Sequence, residues 1–147
     1  MKYIGSVLIL CACICFSFFY EMKEKKKVEN LKLMHNFINY IKSKIDFFLT
    51  PQDKIFSEYE CKLIEELYTN NFNNLSNYFD KEASVLIKDF FNKLGKGLKD
   101  EEITRCSYTL TKLEEIIKKY ENELPNKIKV VRTLAIFCGA CVILLII

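Results

Sequence analysis

Two apolar segments without charged residues lie at the two ends of the chain, over residues 3–20 and 133–147. A helix of the length of residues 3–20 measures about 27 Å at ~1.5 Å per residue, close to the ~30 Å hydrocarbon core of a bilayer. The pattern predicts a transmembrane helix over residues 1–20 and a second one over residues 130–147. In the second helix, Arg132 is expected to snorkel its guanidinium outward to the membrane interface.

Between these ends, apolar residues recur at intervals of three and four, which is the spacing of one face of an α-helix. The first helix continues from the first span to Thr50-Pro51, because the residue before a proline disfavours the helical region. Thr50 is then the N-cap of a second helix, with Asp53 in its first turn. The predicted inner faces comprise Leu31, Met34, Ile38, Ile41, Ile45 and Phe48 in the first helix, and Phe56, Tyr59, Leu63 and Leu67 in the second.

Two further helices are predicted beyond an asparagine-rich turn at residues 70–77, where Asn side chains compete for backbone hydrogen bonds. The third helix starts near Leu75 and is ended by Gly95 and Gly97, and Asp100 is the N-cap of the fourth. Pro125 bends the path toward the second span. The inner faces comprise Phe79, Ala83, Leu86, Phe90 and Leu94 in the third helix, and Ile103, Cys106, Leu110, Leu113, Ile117, Tyr120 and Leu124 in the fourth.

The predicted fold is therefore all-α: an antiparallel helical bundle over residues 21–129, flanked by N- and C-terminal transmembrane helices. Basic residues near a span mark its cytoplasmic side. Both spans have their basic residues on the side of the bundle, which predicts a two-span cell-membrane protein with its bundle in the cytoplasm. These residues are Lys23, Lys25, Lys26 and Lys27 after the first span, and Lys127, Lys129 and Arg132 before the second.

The apolar N-terminus has two alternative interpretations. A cleaved signal peptide is disfavoured because only Lys2 precedes the apolar run and no small-x-small pair precedes the charged stretch after it. A lipoprotein signal at Leu10-Cys11-Ala12-Cys13 is disfavoured because cysteine is a poor fit at the second position of that motif. We therefore expect the first span to be retained.

Composition and charge argue against several kinds of chemistry. The 22 basic and 19 acidic residues leave a nearly neutral middle segment, so no nucleic-acid partner is predicted. His35 is the sole histidine, so neither a metal site nor a nucleophile with an imidazole base is expected. The Cys138-Gly139-Ala140-Cys141 spacing lies in an apolar run and is interpreted as packing. With no P-loop in the sequence, we expect no cofactor and no enzymatic activity.

One acidic corner is the candidate for partner binding. Asp100, Glu101 and Glu102 form the densest acidic run of the middle segment, at an expected exposed helix start shortly after Gly97. The alternative is that these acids only cap the fourth helix and complement its dipole.

The order of several short motifs resembles the stage III sporulation protein AB family of endospore-forming bacteria, which is related to the type II secretion system F inner-membrane protein. The Thr50-Pro51 turn and the Gly-x-x-Asp entry to the last helix, at Gly97 and Asp100, are two of these motifs. The segment between the second helix and Gly97 is shorter than usual in the family. Other matches are residues 2–10 with Gly5, Ile45, Phe47, Lys129, Arg132, Leu134, Gly139 and residues 142–145, and the departures are Lys44, Lys93, Thr104 and Ala135.

The resemblance implies a component of the channel apparatus that joins mother cell and forespore, placed on the mother-cell side of the forespore membranes. It also implies that the cytoplasmic domain is a platform for an assembly ATPase, stage III sporulation protein AA, and for other channel components. The alternative is a two-span regulator or sensor with a cytoplasmic helical interaction domain. The oligomeric state does not follow from the sequence.

Overall fold

The computed structural model describes residues 2–48, 55, 56 and 58–146, and all regular secondary structure assigned in them is helical. Helix α1 spans Lys2–Phe48, α2 spans Lys62–Thr69, α3 spans Lys81–Lys93 and α4 spans Lys99–Ile146. A 3-10 turn at Leu75–Asn77 precedes α3. The all-α prediction is confirmed, and α1 continues from the apolar N-terminal segment into the middle of the chain as predicted.

The chain divides into two compact units. The central unit comprises Lys27–Lys118, and the terminal unit comprises Met1–Lys26 together with Lys119–Ile147. Helices α1 and α4 contribute residues to both units, whereas α2 and α3 belong to the central unit alone.

The core of the central unit contains part of each predicted seam and two aromatic residues outside the seams, Phe37 and Phe72. Phe37 is fully buried, although the periodic pattern of α1 did not include it. Its ring packs against Tyr59 and Phe56, with centroid distances of 4.8 and 5.4 Å. The buried stripe of α1 is therefore wider than a two-helix seam. The apolar core comprises Val28, Leu31, Met34, Phe37, Ile38, Ile41, Ile55, Ile64, Leu67, Phe72, Leu75, Phe79, Ala83, Ile87, Phe90, Leu94, Cys106, Leu113, Ile116 and Ile117.

The predicted second helix is interrupted. The described residues 55, 56 and 58 are helical, residues 59–61 are not, and α2 begins at Lys62. The Cys61 amide donates a hydrogen bond to the Tyr59 carbonyl at 2.9 Å, and this tight turn leaves the Tyr59 ring against Phe37 and Tyr40. Aromatic packing thus outweighs helix continuity here. Thr50, Pro51, Asp53 and the side chain of Phe48 lie outside the described residues.

The asparagine-rich segment is a turn, as predicted, and it closes α2 with a Schellman motif. The Phe72 amide donates to the Leu67 carbonyl at 2.8 Å and the Asn71 amide to the Tyr68 carbonyl at 3.0 Å. Asn71 adopts a positive φ of 48°, which this motif requires at that position. Phe72 also has a positive φ of 55°, and its ring stacks on Phe91 at 3.9 Å, so packing holds this unusual backbone.

Replacing Asn71 by glycine should stabilise the central unit by about 0.5 kcal/mol. Glycine adopts a positive φ without the steric cost of a Cβ atom, and this gain exceeds the extra freedom that it has in the unfolded chain. The measurement is the free energy of unfolding in urea. Asn73→Gly is the matched control, because Asn73 is exposed in the same turn without a positive φ, and it should destabilise by a similar amount. Equal effects of both variants would contradict this explanation.

Helix α3 begins later than predicted and presents a shifted face. Asp80 is its N-cap and forms an ion pair with Lys27 at 3.2 Å, while Leu75 lies in the preceding 3-10 turn. The buried residues include Ile87, whereas Leu86 is only half-buried. The seam was therefore misplaced by one residue in the middle of this helix, where Leu86 and Ile87 are equally apolar.

Helix α4 passes through Pro125 and continues to Ile146 without a separate final helix. In the terminal unit, the Arg132 guanidinium donates to a Glu21 carboxylate oxygen at 2.8 Å, and Lys25 pairs with the other oxygen at 2.7 Å. The expectation that Arg132 only reaches outward missed this ion pair. The protein partner of Arg132 is therefore Glu21, which lies one helix turn before Lys25.

Within the described residues, no helix is both long enough and apolar enough to cross a membrane. The two spans predicted over residues 1–20 and 130–147 are thus not supported by this part of the chain.

Candidate functional site

The predicted partner-binding residues lie at the corner between α3 and α4. Leu94 is the C-cap of α3, and Gly95 follows with a φ of 78°, in the left-handed region that glycine adopts without strain. The prediction that a glycine ends this helix is confirmed. Gly97 and Leu98 then lead into α4 at Lys99.

Glu102 is buried within the corner rather than exposed on it, with an exposed fraction of 4%. Its Oε1 atom accepts hydrogen bonds from the Gly97 amide at 2.9 Å and from the Arg105 guanidinium at 2.8 Å. Arg105 also donates to the Lys93 carbonyl at the end of α3, at 2.7 Å. The expectation of an exposed Glu102 is wrong, because Arg105 and the Gly97 amide hold its carboxylate inside.

Gly97 permits this arrangement because it has no side chain. A Cβ atom at position 97 would lie 2.8 Å from Oε2 of Glu101 and 3.2 Å from Oε1 of Glu102. The Glu101 side chain is exposed and can move, whereas two hydrogen bonds fix Glu102. The close approach of the Glu102 carboxylate to the backbone therefore accounts for glycine at this position.

Asp100 is not the N-cap of α4, since the helix begins one residue before it. The backbone amide of Leu98, at the start of the helix, is satisfied by Glu101. It donates a hydrogen bond to Oε2 of Glu101 at 3.2 Å. The Glu102 amide in turn donates to the Leu98 carbonyl at 2.9 Å. A glutamate that reaches back from the first helical turn is one half of a capping box, so Leu98 is the cap position. The acids of this turn complement the positive end of the helix dipole as predicted.

The exposed side chains of the corner are those of Lys96, Leu98, Lys99, Asp100 and Glu101. Among the described residues of the central unit, Leu98 is the most exposed large apolar one, at 75%. It was not predicted, because a single leucine in a loop has no periodic pattern. The corner therefore presents one exposed leucine among two lysines and two carboxylates.

Beneath the corner, Cys106 is fully buried. Burial, together with the negative charge of Glu102, raises the pKa of its thiol to about 11. The thiol is therefore protonated near neutral pH and a poor nucleophile. The Oε2 atom of Glu102 is buried without a hydrogen-bond partner. In the ranges that the structure describes, no group of three or more His, Cys, Asp and Glu residues is placed to hold a metal ion.

Comparison with protein families identified one match. The family model of stage III sporulation protein AB matches residues 2–84 and residues 61–147 of the chain. The two matched segments overlap at residues 61–84 and together extend over nearly all of the sequence. Comparisons with curated proteins and with solved structures found no similar protein.

Proposed function

The chain belongs to the stage III sporulation protein AB family, which implies a role in sporulation, and from this premise we propose that it is a non-enzymatic membrane scaffold. The scaffold belongs to the channel apparatus between mother cell and forespore. Its terminal unit is held in the membrane on the mother-cell side, and its central unit docks an assembly ATPase in the cytoplasm.

The surface of the terminal unit supports membrane attachment. Phe18 and Phe19 are adjacent in α1 and both more than 60% exposed, so apolar surface extends around the helix rather than along one stripe. Helices that are apolar on all sides are typical of protein cores and of bilayers. The exposed large apolar residues are Leu8, Ile14, Phe16, Phe18, Phe19 and Met22 on α1, and Val130, Leu134, Ile136, Phe137, Val142 and Leu144 on α4.

Small residues at buried positions of the terminal unit agree with packing in a bilayer. Ser17 is 6% exposed, and Gly139 is buried on α4. Helices in lipid associate without a hydrophobic driving force, and small residues let their backbones approach closely. The Ser17 and Gly139 positions therefore suit two helices that pair in lipid.

The charge of the two units supports the proposed orientation. The terminal unit contains eight basic and four acidic residues, whereas the central unit contains fourteen basic and fifteen acidic residues. Basic residues next to apolar helices are attracted to the anionic cytoplasmic leaflet and are retained on that side. Both effects favour a cytoplasmic central unit.

The observation that carries the docking proposal is the exposed surface formed by Leu98, Asp100 and Glu101. This surface includes Asp100 and adjoins Gly97. These two residues form the Gly-x-x-Asp motif of the family resemblance. The partner that fits the resemblance is the assembly ATPase of the apparatus, stage III sporulation protein AA. Other channel components are further candidate partners.

Reversing one exposed charge at this corner should weaken docking. Asp100→Lys leaves the buried Glu102 network intact, since the Asp100 side chain makes none of its hydrogen bonds. We expect the Kd for the ATPase to rise about tenfold at low salt, with a smaller difference at high salt, because exposed charge pairs are screened. The measurement is titration of the ATPase with the full chain in vesicles.

Glu29→Lys is the matched control, because Glu29 is also exposed and the substitution changes the net charge equally. It should bind as the wild type does. Leu98→Ser tests the apolar part and should weaken binding at every salt concentration. Wild-type affinity of both corner variants would remove this surface from the interface.

A further inference from the structure

An apolar groove with a volume of about 520 Å³ lies between α1 and α4 within the terminal unit. On α1 its wall is formed by Ala12, Cys13 and Phe16, and the facing wall on α4 includes Ala135 and Cys138. The small side chains in both walls create the space. The groove belongs to the proposed membrane-embedded part of the chain, so water is a poor occupant for it.

The groove runs along α4 for about 10 Å. Its lining residues on this helix extend from Val131 to Cys138, which are seven residues apart, at ~1.5 Å per residue. On α1 they extend from Ala12 to Phe16. Half of a ~30 Å hydrocarbon core is ~15 Å. The groove is therefore short enough to lie within one leaflet.

Positive charge lies at one end of the groove only. Lys23 follows Phe16 by seven residues, and Lys127 precedes Val131 by four, so each continues the groove-facing side of its helix. Lys127 also pairs with Glu123 at 3.0 Å and lies 5.2 Å from the centre of the Tyr120 ring. Even with Glu123 included, this end is net positive, and the opposite end is lined by apolar residues and cysteine.

We propose that the groove binds one acyl chain of an anionic phospholipid, with Lys23 and Lys127 binding the phosphate of its headgroup. The inference rests on the proposed membrane attachment and adds a specific lipid site to it. The apolar lining of the groove and the one-sided placement of the lysines each match this ligand. The lipid would fill the space that the small side chains leave between the two helices.

Photo-crosslinking tests the site in the full chain. The protein is reconstituted in phosphatidylcholine vesicles that contain a few per cent of phosphatidylglycerol with a photoreactive group in its acyl chain, and adducts are located by mass spectrometry. We expect adducts concentrated on groove residues such as Phe16 and Leu134, and competition by unlabelled phosphatidylglycerol but not by extra phosphatidylcholine. Lys23→Gln should lower the yield several-fold, and Ala135→Phe should abolish the groove adducts by filling the space. Ala140→Phe is the matched control outside the groove and should leave them unchanged.

Several results would overturn the site. Adducts spread evenly over outer residues such as Phe18 and Phe137 would mean that lipid covers the helices without a groove site, although membrane attachment would stand. Equal competition by phosphatidylcholine would remove the role of the lysines. Cross-links between two protein copies at the groove would assign it to a second copy instead. Absence of adducts on any part of the chain, with the protein failing to float with the vesicles, would instead contradict the membrane attachment itself.

Discussion

The variant Leu113→Asp should lose the cooperative unfolding transition of the central unit. Leu113 is fully buried and lies in the longest regular seam of the chain, between Cys106 and Ile117. The substitution places a carboxylate among apolar side chains, which costs several kcal/mol, against a typical domain stability of ~5 to 15 kcal/mol. Thermal unfolding of the full chain, followed by circular dichroism, measures the effect.

Thr111→Asp provides the control for this experiment, because Thr111 is exposed two residues earlier in the same helix. The net charge changes equally there and helix propensity changes little, but no carboxylate is buried. We expect the melting temperature of Thr111→Asp to stay within a few degrees of the wild type, since surface substitutions usually change stability by less than ~0.5 kcal/mol. A Leu113→Asp variant that melts like this control would show that the core is built differently.

The second large effect should come from Arg105→Met, which removes the partner of a buried carboxylate. The Arg105 side chain is 26% exposed and that of Glu102 only 6%, and their contact distance is 2.8 Å. The variant leaves Glu102 with a single hydrogen bond from the Gly97 amide, and it leaves the Lys93 carbonyl with only the longer hydrogen bond from the Lys96 amide, at 3.3 Å. Loss of one member of a buried pair costs ~3 to 5 kcal/mol, and the partial exposure of Arg105 lowers our expectation to about 2 kcal/mol. Urea unfolding measures this loss.

Two further variants test the cause of that loss. Arg105→Met combined with Glu102→Gln should recover part of the stability, because an amide is less costly to bury than an unpaired carboxylate. Lys112→Met removes an exposed pair with Glu115 at 2.7 Å and should cost less than ~1 kcal/mol. If Arg105→Met were as mild as Lys112→Met, the corner would not depend on the buried ion pair.

The periodic part of the fold was predictable from the sequence. In α4 three of the seven predicted positions, Cys106, Leu113 and Ile117, are buried, because a helix that packs along its length imposes a regular spacing on its apolar residues. The other four are half-buried: Ile103, Leu110, Tyr120 and Leu124. In α1 the same reasoning identified four buried positions but missed Phe37. A helix with neighbours on more than one side buries a wider stripe than a periodic count detects.

The breaks between helices were less predictable, since they depend on contacts between distant residues. The stop at residues 59–61 follows from the packing of Tyr59 on Phe37, a residue more than twenty positions earlier. The asparagine-rich turn, by contrast, was predictable because its residue preference is local. The αL position of Asn71 within it belongs to a Schellman motif that begins at Leu67.

The corner between α3 and α4 lies where the sequence predicts it, but the predicted exposure of all three acids is wrong. Acidity alone does not distinguish Asp100 and Glu101 at the surface from Glu102 in the interior. The distinguishing feature in the sequence is Arg105, three residues after Glu102, together with a glycine at position 97 that admits the carboxylate. The Arg132–Glu21 ion pair was not predictable from the sequence either, because its partners are separated by 111 residues.

Thiol labelling in intact sporulating cells tests the central claim most directly, namely that the chain is a membrane-held scaffold with its central unit in the cytoplasm. Asn74→Cys places a thiol at an exposed position of the turn before the 3-10 helix, in a chain whose native cysteines are replaced by alanine. We expect the protein to sediment with membranes, and the thiol to react with a membrane-impermeant maleimide only after the cells are permeabilised. Rapid labelling in intact cells, or recovery of the protein in the supernatant after membranes are pelleted, would contradict it.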